Sequence, residues 1–343
     1  MPDEPTFQTS TPGHIRSLLL DGSSPVLLLG AGTSVTSGIP AAGATAEKAA
    51  RWAWCREAGR SPEDIRIQRS DYWPWLCRQP WFSEHVPLAD QYPKIIEKLF
   101  GVRKQRRDFF ERLIAPGVAP KGGYRALVRI LNEGWINTVL TTNFDHCIEE
   151  AKVLENKPHF LVSIKTPDDL VRFNAAAPDP QLVYLHGSVE HYSDKNLGHE
   201  VDQLDAPIVQ RLVPLLRDHP LIVVGYRGNE PSVMRGLLLE QINATNTFAQ
   251  GVYWCVRESD MPQPLSPLVK ELAAAIGTNF QIVPIAGFDE LLQYDLWDRL
   301  RSEGAQPIRR SHAYGQTDLP FDMRVLEKAE ADDLDDPERK SST

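Results

Sequence analysis

Seven short apolar runs recur along this chain, separated by longer stretches of helical period. That alternation confines the fold to strands joined by crossover helices. The runs are Val26–Gly30, Ile136–Thr141, Phe160–Ile164, Leu182–His186, Leu221–Gly225, Val252–Val256 and Phe280–Ile285. Their hydrophobicity is continuous rather than alternating, as strands covered on both faces require. The expected architecture is α/β: a doubly wound, Rossmann-like, mostly parallel sheet. About a hundred residues lie between the first run and the second, roughly four times what one crossover needs. A helical insertion is therefore expected after the first strand, over about residues 41–128. It opens on an Ala-rich stretch from Ala41 to Ala53 and holds a helical pattern around Tyr92–Phe100. Its aromatic cluster, Trp73, Trp75, Trp81 and Phe82, is expected to pack this subdomain onto the sheet.

Hydrophobic residues make up 42% of the 343, enough for a sizeable core. Lys and Arg number 37 against 46 Asp and Glu, a net charge of −9 that disfavours a general polyanion binder, so no direct nucleic-acid binding is expected. The one basic run, Arg103, Lys104, Arg106 and Arg107, is followed at helical spacing by Asp108, Glu111 and Arg112, the pattern of a solvated helix face. The apolar runs are far shorter than the roughly 20 residues that span a bilayer. The start, MPDEPTFQTSTPG, lacks the basic and apolar regions of a secretory signal, so a cytoplasmic location and no membrane association are expected. Residues 301–343 read as a C-terminal extension. Its last stretch, Glu327–Thr343, carries seven acidic and three basic residues with almost nothing apolar, a composition expected to be disordered or a linker. Cys55, Cys77, Cys147 and Cys255 form no CxxC pair, which argues against a disulfide framework and a four-thiolate zinc site.

Four strand ends carry candidate chemistry. Val26 to Leu29 runs into Gly30-Ala31-Gly32-Thr33-Ser34-Val35-Thr36-Ser37-Gly38-Ile39-Pro40, a Gly-rich turn expected to let backbone N–H groups approach a pyrophosphate ahead of a helix N-terminus. It fits neither the dehydrogenase fingerprint, whose third glycine falls at Val35, nor the P-loop, whose GK[ST] ending is absent. Thr141-Thr142-Asn143-Phe144-Asp145 ends the second run, Leu182 to Leu185 delivers His186-Gly187-Ser188, and Leu221 to Val224 delivers Gly225-Tyr226-Arg227-Gly228-Asn229-Glu230-Pro231. Each motif alone also fits a bland role: a strand-to-helix turn, a helix cap, a structural histidine, a glycine-permitted turn.

Together and in this order, GAGTSVTSGIP, TTNFD, a strand ending in HG and a strand ending in GYRGNEP resemble the sirtuin superfamily. The resemblance extends over roughly residues 14–300, and residues 1–300 are taken as one sirtuin-like NAD-binding catalytic domain that includes the insertion. It implies that Gly30, Ala31, Gly32 and Ser34 form a dinucleotide phosphate cradle. It further implies that Asn143 contacts the nicotinamide ribose and helps place a nucleophile, that Asp145 binds the nicotinamide carboxamide, and that His186 is the catalytic histidine. Gly225 and Tyr226 would border the adenosine end, with Glu230 near its ribose.

The departures narrow the resemblance. Protein deacylases of the family continue GIP with Asp-Phe-Arg, where this chain has Ala41-Ala42-Gly43, and they carry a zinc ribbon of two CxxC pairs that is absent here. The pattern looks like the sirtuin-like NAD hydrolase branch of bacterial anti-phage defence. What it implies is an NAD+ glycohydrolase that takes NAD+ as substrate, needs no zinc and answers to a partner protein or fused sensor module in a homo-oligomer or hetero-complex. Two other readings stay open: an NAD- or ADP-ribose-sensing module without turnover, and NAD-dependent ADP-ribosyl transfer or deacylation. The insertion is expected to cover the nicotinamide end of the site, or else to serve as a structural cap or protein contact surface.

Overall fold

The computed structural model describes residues 7–114, 119–157, 161–174, 179–187, 204, 206–242, 247–261 and 264–308. Eight strands form one sheet: β1 (Gln8–Thr9), β2 (Val26–Leu29), β3 (Thr138–Thr141), β4 (Val162–Ile164), β5 (Gln181–Tyr184), β6 (Leu221–Val224), β7 (Val252–Arg257) and β8 (Phe280–Ile285). Their order is β1-β8-β7-β6-β2-β3-β5-β4 and every pairing is parallel. The seven apolar runs supply the seven longer strands, β2 to β8; only the two-residue, solvent-exposed β1 at one edge has no counterpart in the hydropathy pattern. The chain reverses direction of travel at β2, whose neighbours are β3 and β6, so the topological switch point lies between β2 and β6. Of the expected C-terminal extension, the part from residue 309 onward, Glu327–Thr343 included, lies outside the described residues.

Alternate residues of each strand bury into opposite cores, which is why the runs are continuously apolar. Leu27 and Leu29 of β2 join Val139, Leu182, Ile222 and Val224 under α1 (Pro12–Leu20), α6 (Gly122–Glu133), α7 (Cys147–Leu154) and the π-helical turns of Glu290–Asp298. Val26 and Leu28 join Leu140, Val183, Leu221 and Val223 under α8 (Ala206–Asp218), the π-helical turns of Ser232–Leu238 and α9 (Pro267–Ile276). Each fully buried leucine contributes about 1.5–3 kcal/mol to holding these layers.

The stretch between β2 and β3 is helical, as its length required. α2 (Ala42–Glu57), α3 (Arg69–Cys77), α4 (Leu88–Leu99) and α5 (Arg103–Leu113) pack on one another around two small cores of their own. α6, which straddles residue 128, instead packs on the sheet through Tyr124, Ala126, Leu127 and Leu131. The aromatic cluster departs from expectation: Trp73 and Trp81 pack edge-on against Phe82, and with Trp75 they line a core shared by α2 and α3 rather than one shared with the sheet. Two other contacts tie the insertion to the sheet's turns. Phe110 of α5 meets Phe144 at 4.7 Å between ring centroids, and Asp90 of α4 accepts a hydrogen bond from Asn229 Nδ2 at 3.0 Å.

The basic run lies on α5. Lys104 pairs with Asp108, Arg107 with Glu111 and Arg112 with Glu63, as a solvated face should. Arg106 corrects that reading, since it is only 2% exposed: it falls on the inner stripe with Phe109 and Phe110, at helical spacing.

Phe110 is fully buried, and Phe110→Ala should cost about 3–5 kcal/mol in the insertion's own stability. Amide hydrogen exchange should then quicken across α2, α4 and α5 while β2 and β3 keep their protection; unchanged exchange in α5 would contradict the packing described.

Candidate active site

Four strands set the site through one row of the sheet. Leu29 is in register with Thr141 and with Val224, and Thr141 is in register with Tyr184. Gly30 and Gly225 therefore stand one residue beyond that row, and Asn143, His186 and Tyr226 two residues beyond it. All the motif residues gather on the carboxyl edge, where open parallel sheets take their ligands.

The glycines serve a purpose the sequence did not suggest. A Cβ at Gly30 would stand 2.6 Å from Gly225 O and from Tyr226 Cα, and one at Gly32 2.9 Å from Gly225 Cα. Gly32 N–H donates to Gly225 O at 2.9 Å, and Gly225 itself adopts φ +66° with the Thr33 backbone against it. The two turns flanking the switch point thus approach backbone to backbone, a distance only glycine permits. Gly30 leads into a short 3₁₀ turn, Ala31–Ser34, and the helix expected after the Gly-rich turn, α2, begins only at Ala42. Ala31 and Gly32 are exposed, whereas Thr33 and Ser34 are buried.

Beneath that turn lies a polar knot. Ser34 Oγ donates to Asp145 Oδ2 at 2.6 Å and lies 2.6 Å from Tyr124 OH. Thr33 Oγ1 donates to Gly30 O at 2.8 Å and lies 2.9 Å from the same phenol. Asn143 Nδ2 is 3.2 Å from Gly30 O, 3.1 Å from Thr33 Oγ1 and 3.1 Å from Ser34 Oγ. Asp145 Oδ1 accepts from the N–H of Cys147, the first residue of α7, at 3.0 Å. Asn143 Oδ1 is buried and meets no hydrogen-bond partner among the described residues. Burial first, and then the Asp145 charge, push the Tyr124 hydroxyl well above its ordinary range, so it stays protonated as a donor. The same two effects raise the Cys147 thiol.

His186 lies two residues past β5 and turns to a different partner: its Nε2 lies 3.0 Å from Oγ of Ser232, the first residue of the π-helical turns after β6. Asn143 and Asp145 are 7% exposed and His186 6%, so all three sit below the surface. Tyr226 OH and Glu230 Oε2 are buried and neither makes a well-formed hydrogen bond among the described residues, although the two side chains lie close enough to influence each other. Burial raises the Glu230 carboxyl to about 7, against a smaller opposing effect of the Tyr226 hydroxyl.

Of the ten residues singled out from sequence, Ser34, Asn143, Asp145 and the Gly30 carbonyl meet directly, Gly32 and Gly225 meet each other, and Tyr226 backs Gly30. Ala31, His186 and Glu230 stand apart from the knot, on the same edge. Ser188 lies outside the described residues. Tyr124, Thr33 and Ser232 were not among the ten. Thr33 lay inside the Gly-rich motif, while Tyr124 and Ser232 carry no local signal, because a lone tyrosine or serine in a helical stretch reads as ordinary packing.

A family model described as a SIR2-like domain matches residues 137–278, from β3 into the end of α9. This chain carries a sirtuin-like domain. The match takes in Asn143, Asp145, His186, Gly225, Tyr226 and Glu230, and the sheet adds the turn after β2 to them. Among solved structures, a Sir2 homologue in complex with NAD is 13% identical, with 85% of this chain and 96% of that one covered at a TM-score of 0.44. A structure bearing on the mechanism and regulation of Sir2 enzymes is 14% identical, covering 86% and 100% at 0.42. A mutant Sir2 homologue in complex with 2′-O-acetyl ADP ribose is 13% identical, covering 84% and 96% at 0.40. No curated protein matches. Among the described residues of the sirtuin-like domain and its flanks, no three His, Cys, Asp or Glu side chains gather as metal ligands, and no helix is long and apolar enough to cross a membrane.

Gly30→Ala should destabilise the protein by about 1–3 kcal/mol or more through the clash with the β6 turn. Gly101→Ala, whose Cβ meets open space, should stay within about 0.5 kcal/mol of the parent; equal denaturation midpoints for the two variants would refute the backbone contact. Glu230 gives a pH signature. Its folded value of about 7 stands above the ordinary 4.5, so its contribution is whole below pH 4.5 and is lost as pH rises to about 7. Denaturant titrations should show the parent losing stability relative to Glu230→Gln across that interval.

Proposed function

We propose that this chain hydrolyses NAD+ at the nicotinamide–ribose bond, releasing nicotinamide and ADP-ribose. The observation that carries the reading is Asn143: a buried amide whose nitrogen side is tied down by Gly30, Thr33 and Ser34 and whose oxygen is left as a lone acceptor at the sheet's carboxyl edge. A buried acceptor without a partner costs about 1–3 kcal/mol, which a bound hydroxyl or water would recover. The family likeness supplies NAD+ as the ligand, and the two turns at the switch point suit a dinucleotide running across them.

In this scheme the C1′–N bond breaks with its electron pair passing to the pyridinium nitrogen, which leaves as neutral nicotinamide. The ribose passes through an oxocarbenium-like state. Water held by Asn143 Oδ1 forms the new C1′–O bond, and its proton passes to His186 or to a ribose hydroxyl that His186 deprotonates. Asp145 orients the nicotinamide amide with the acceptor capacity left beside its bonds to Ser34 and Cys147. Ala31 and Gly32 line the exposed side of the turn where the phosphates would lie. Tyr226 and Glu230, each with a buried oxygen that makes no well-formed hydrogen bond among the described residues, would take the hydroxyls of the adenosine ribose.

The finer parts of the proposal concern setting. The absence of the deacylase Asp-Phe-Arg continuation and of any CxxC pair favours hydrolysis over acyl transfer, and favours the branch serving anti-phage defence in the cytoplasm. The burial of Asn143, Asp145 and His186 supports low basal turnover, released when a partner protein, sensor module or further copy of the chain loosens the insertion's hold on the two turns.

Incubation of the purified chain with NAD+ and separation of products should show nicotinamide and ADP-ribose in equal amounts. His186→Ala and Asn143→Ala should each lower turnover on the order of 10² to 10⁴-fold, the range for a general base and its positioning group, with NAD+ affinity little changed. NAD+ bound but never cleaved by the parent chain would leave a sensing module as the answer instead.

A further inference from the structure

The polar knot has one member that no motif contains. Tyr124 lies on α6, at the end of the insertion, and is 1% exposed. Gly123 N–H donates to Asp289 at 2.6 Å and the Tyr124 ring packs edge-on against Phe288 at 4.9 Å, so the residue and its neighbour are both anchored to the Phe288–Asp289 segment.

Counting protons fixes who donates to whom. Asp145 Oδ2 accepts from Ser34, so the Ser34 proton is spent there. Gly30 O accepts from Thr33, so the Thr33 proton is spent as well. Both hydroxyl oxygens then have only lone pairs to offer, and Tyr124, protonated because it is buried, must donate. Its shorter contact is to Ser34, at 2.6 Å against 2.9 Å to Thr33. The protons therefore run in one direction, from Tyr124 to Ser34 to Asp145. Asn143 completes the arrangement: Gly30 O can only accept, so the amide nitrogen must face it, and the two amide hydrogens are shared among Gly30 O, Thr33 Oγ1 and Ser34 Oγ. Every donor on the inner side is thus engaged, and the amide oxygen, on the opposite side of the group, is buried with no partner among the described residues.

We propose that Tyr124 is a positioning residue for the reaction: through Ser34 it locks Asn143 with its carbonyl oxygen toward the substrate. This rests on the NAD+ hydrolase reading. It also moves the Ser34 hydroxyl out of the phosphate cradle and into the knot, where its loss should lower turnover rather than weaken binding. Without the phenol O–H, the Ser34 oxygen has only Asn143 left as a donor. Gly30 O still keeps the amide nitrogen inward, but the Ser34 and Thr33 hydroxyls lose the donor that holds them in place, so the amide is gripped less tightly and its oxygen is no longer fixed at one point.

The test is a double-mutant cycle on the full chain, with kcat and KM for NAD+ measured for the parent, Tyr124→Phe, Ser34→Ala and the double variant. Tyr124→Phe keeps the ring against Phe288 and should lower kcat by roughly tenfold, the scale of one hydrogen bond, with KM within about twofold. Ser34→Ala should do the same, and the double variant should be no worse than the poorer single one, because the two residues act as a unit. Additive losses, a loss confined to KM, or wild-type kcat in Tyr124→Phe would overturn the role of Tyr124. If Tyr124→Phe fails to fold by circular dichroism, Ser34→Ala decides alone: unchanged kcat or a purely KM effect rejects the relay. A parent chain that cleaves no NAD+ rejects the hydrolase reading itself, a different outcome from a parent that cleaves and a Tyr124→Phe variant that cleaves equally well.

Discussion

The site depends on the in-register pairing of β6, β2, β3 and β5. Parallel strands that begin level end level, and here Val224, Leu29, Thr141 and Tyr184 form one row across the sheet. A slip of one residue in any pairing would turn that strand's core residues to the opposite face and move its motif off the edge. The alternating burial of Leu27 and Leu29 in one core and Val26 and Leu28 in the other prevents the slip. Hydrophobic packing, which has no chemical specificity of its own, thereby sets the position of every polar group that could act on a ligand.

The polar groups at that edge are arranged against the usual tendency of a protein interior. Most buried donors and acceptors find partners, yet among the described residues Asn143 Oδ1, Tyr226 OH and Glu230 Oε2 make no well-formed hydrogen bond. The contrast within Asn143 is sharpest, because its nitrogen has several partners and its oxygen none. An amide needed only for structure would be satisfied at both ends. Such local departures from consistency are where function is expected.

Much of this was legible in the sequence, and the remainder was hidden for identifiable reasons. Continuous apolar runs gave away every strand except β1, whose two residues are too few to show a period. The Gly-rich turn, TTNFD, the strand-end histidine and GYRGNEP could be placed on one edge because strand ends are local features. What the glycines do was not legible: sequence shows that a close approach is needed at Gly30 and Gly225, not that the approaching group is the other turn. Tyr124 was invisible because its importance lies in contacts with Thr33 and Ser34, about ninety residues earlier, and Ser232 because its partner His186 stands in the turn after β5, 46 residues earlier. The aromatic cluster misled for a similar reason. Hydrophobicity says that Trp73 and Phe82 are buried, but not whether the sheet or α2 covers them.

The position of the insertion has a kinetic consequence. β2 and β3 are neighbours in the sheet, yet α2 to α6 must be made between them, so their pairing is a long-range event in the growing chain. Loop closure is slow to reward such contacts, which raises the contact order and slows folding. The insertion offsets this by having its own cores, since a folded segment brings its two ends together sooner than a random coil of equal length. β6 is made later still and must insert beside β2, on the side away from β3. The knot of Ser34, Asn143 and Asp145 can form once β3 docks, but the glycine contact across the switch point waits for β6. A chain still being synthesised therefore lacks a complete site until β6 has been made and docked beside β2, so a dinucleotide-consuming activity of the kind proposed would switch on only after that strand is in place.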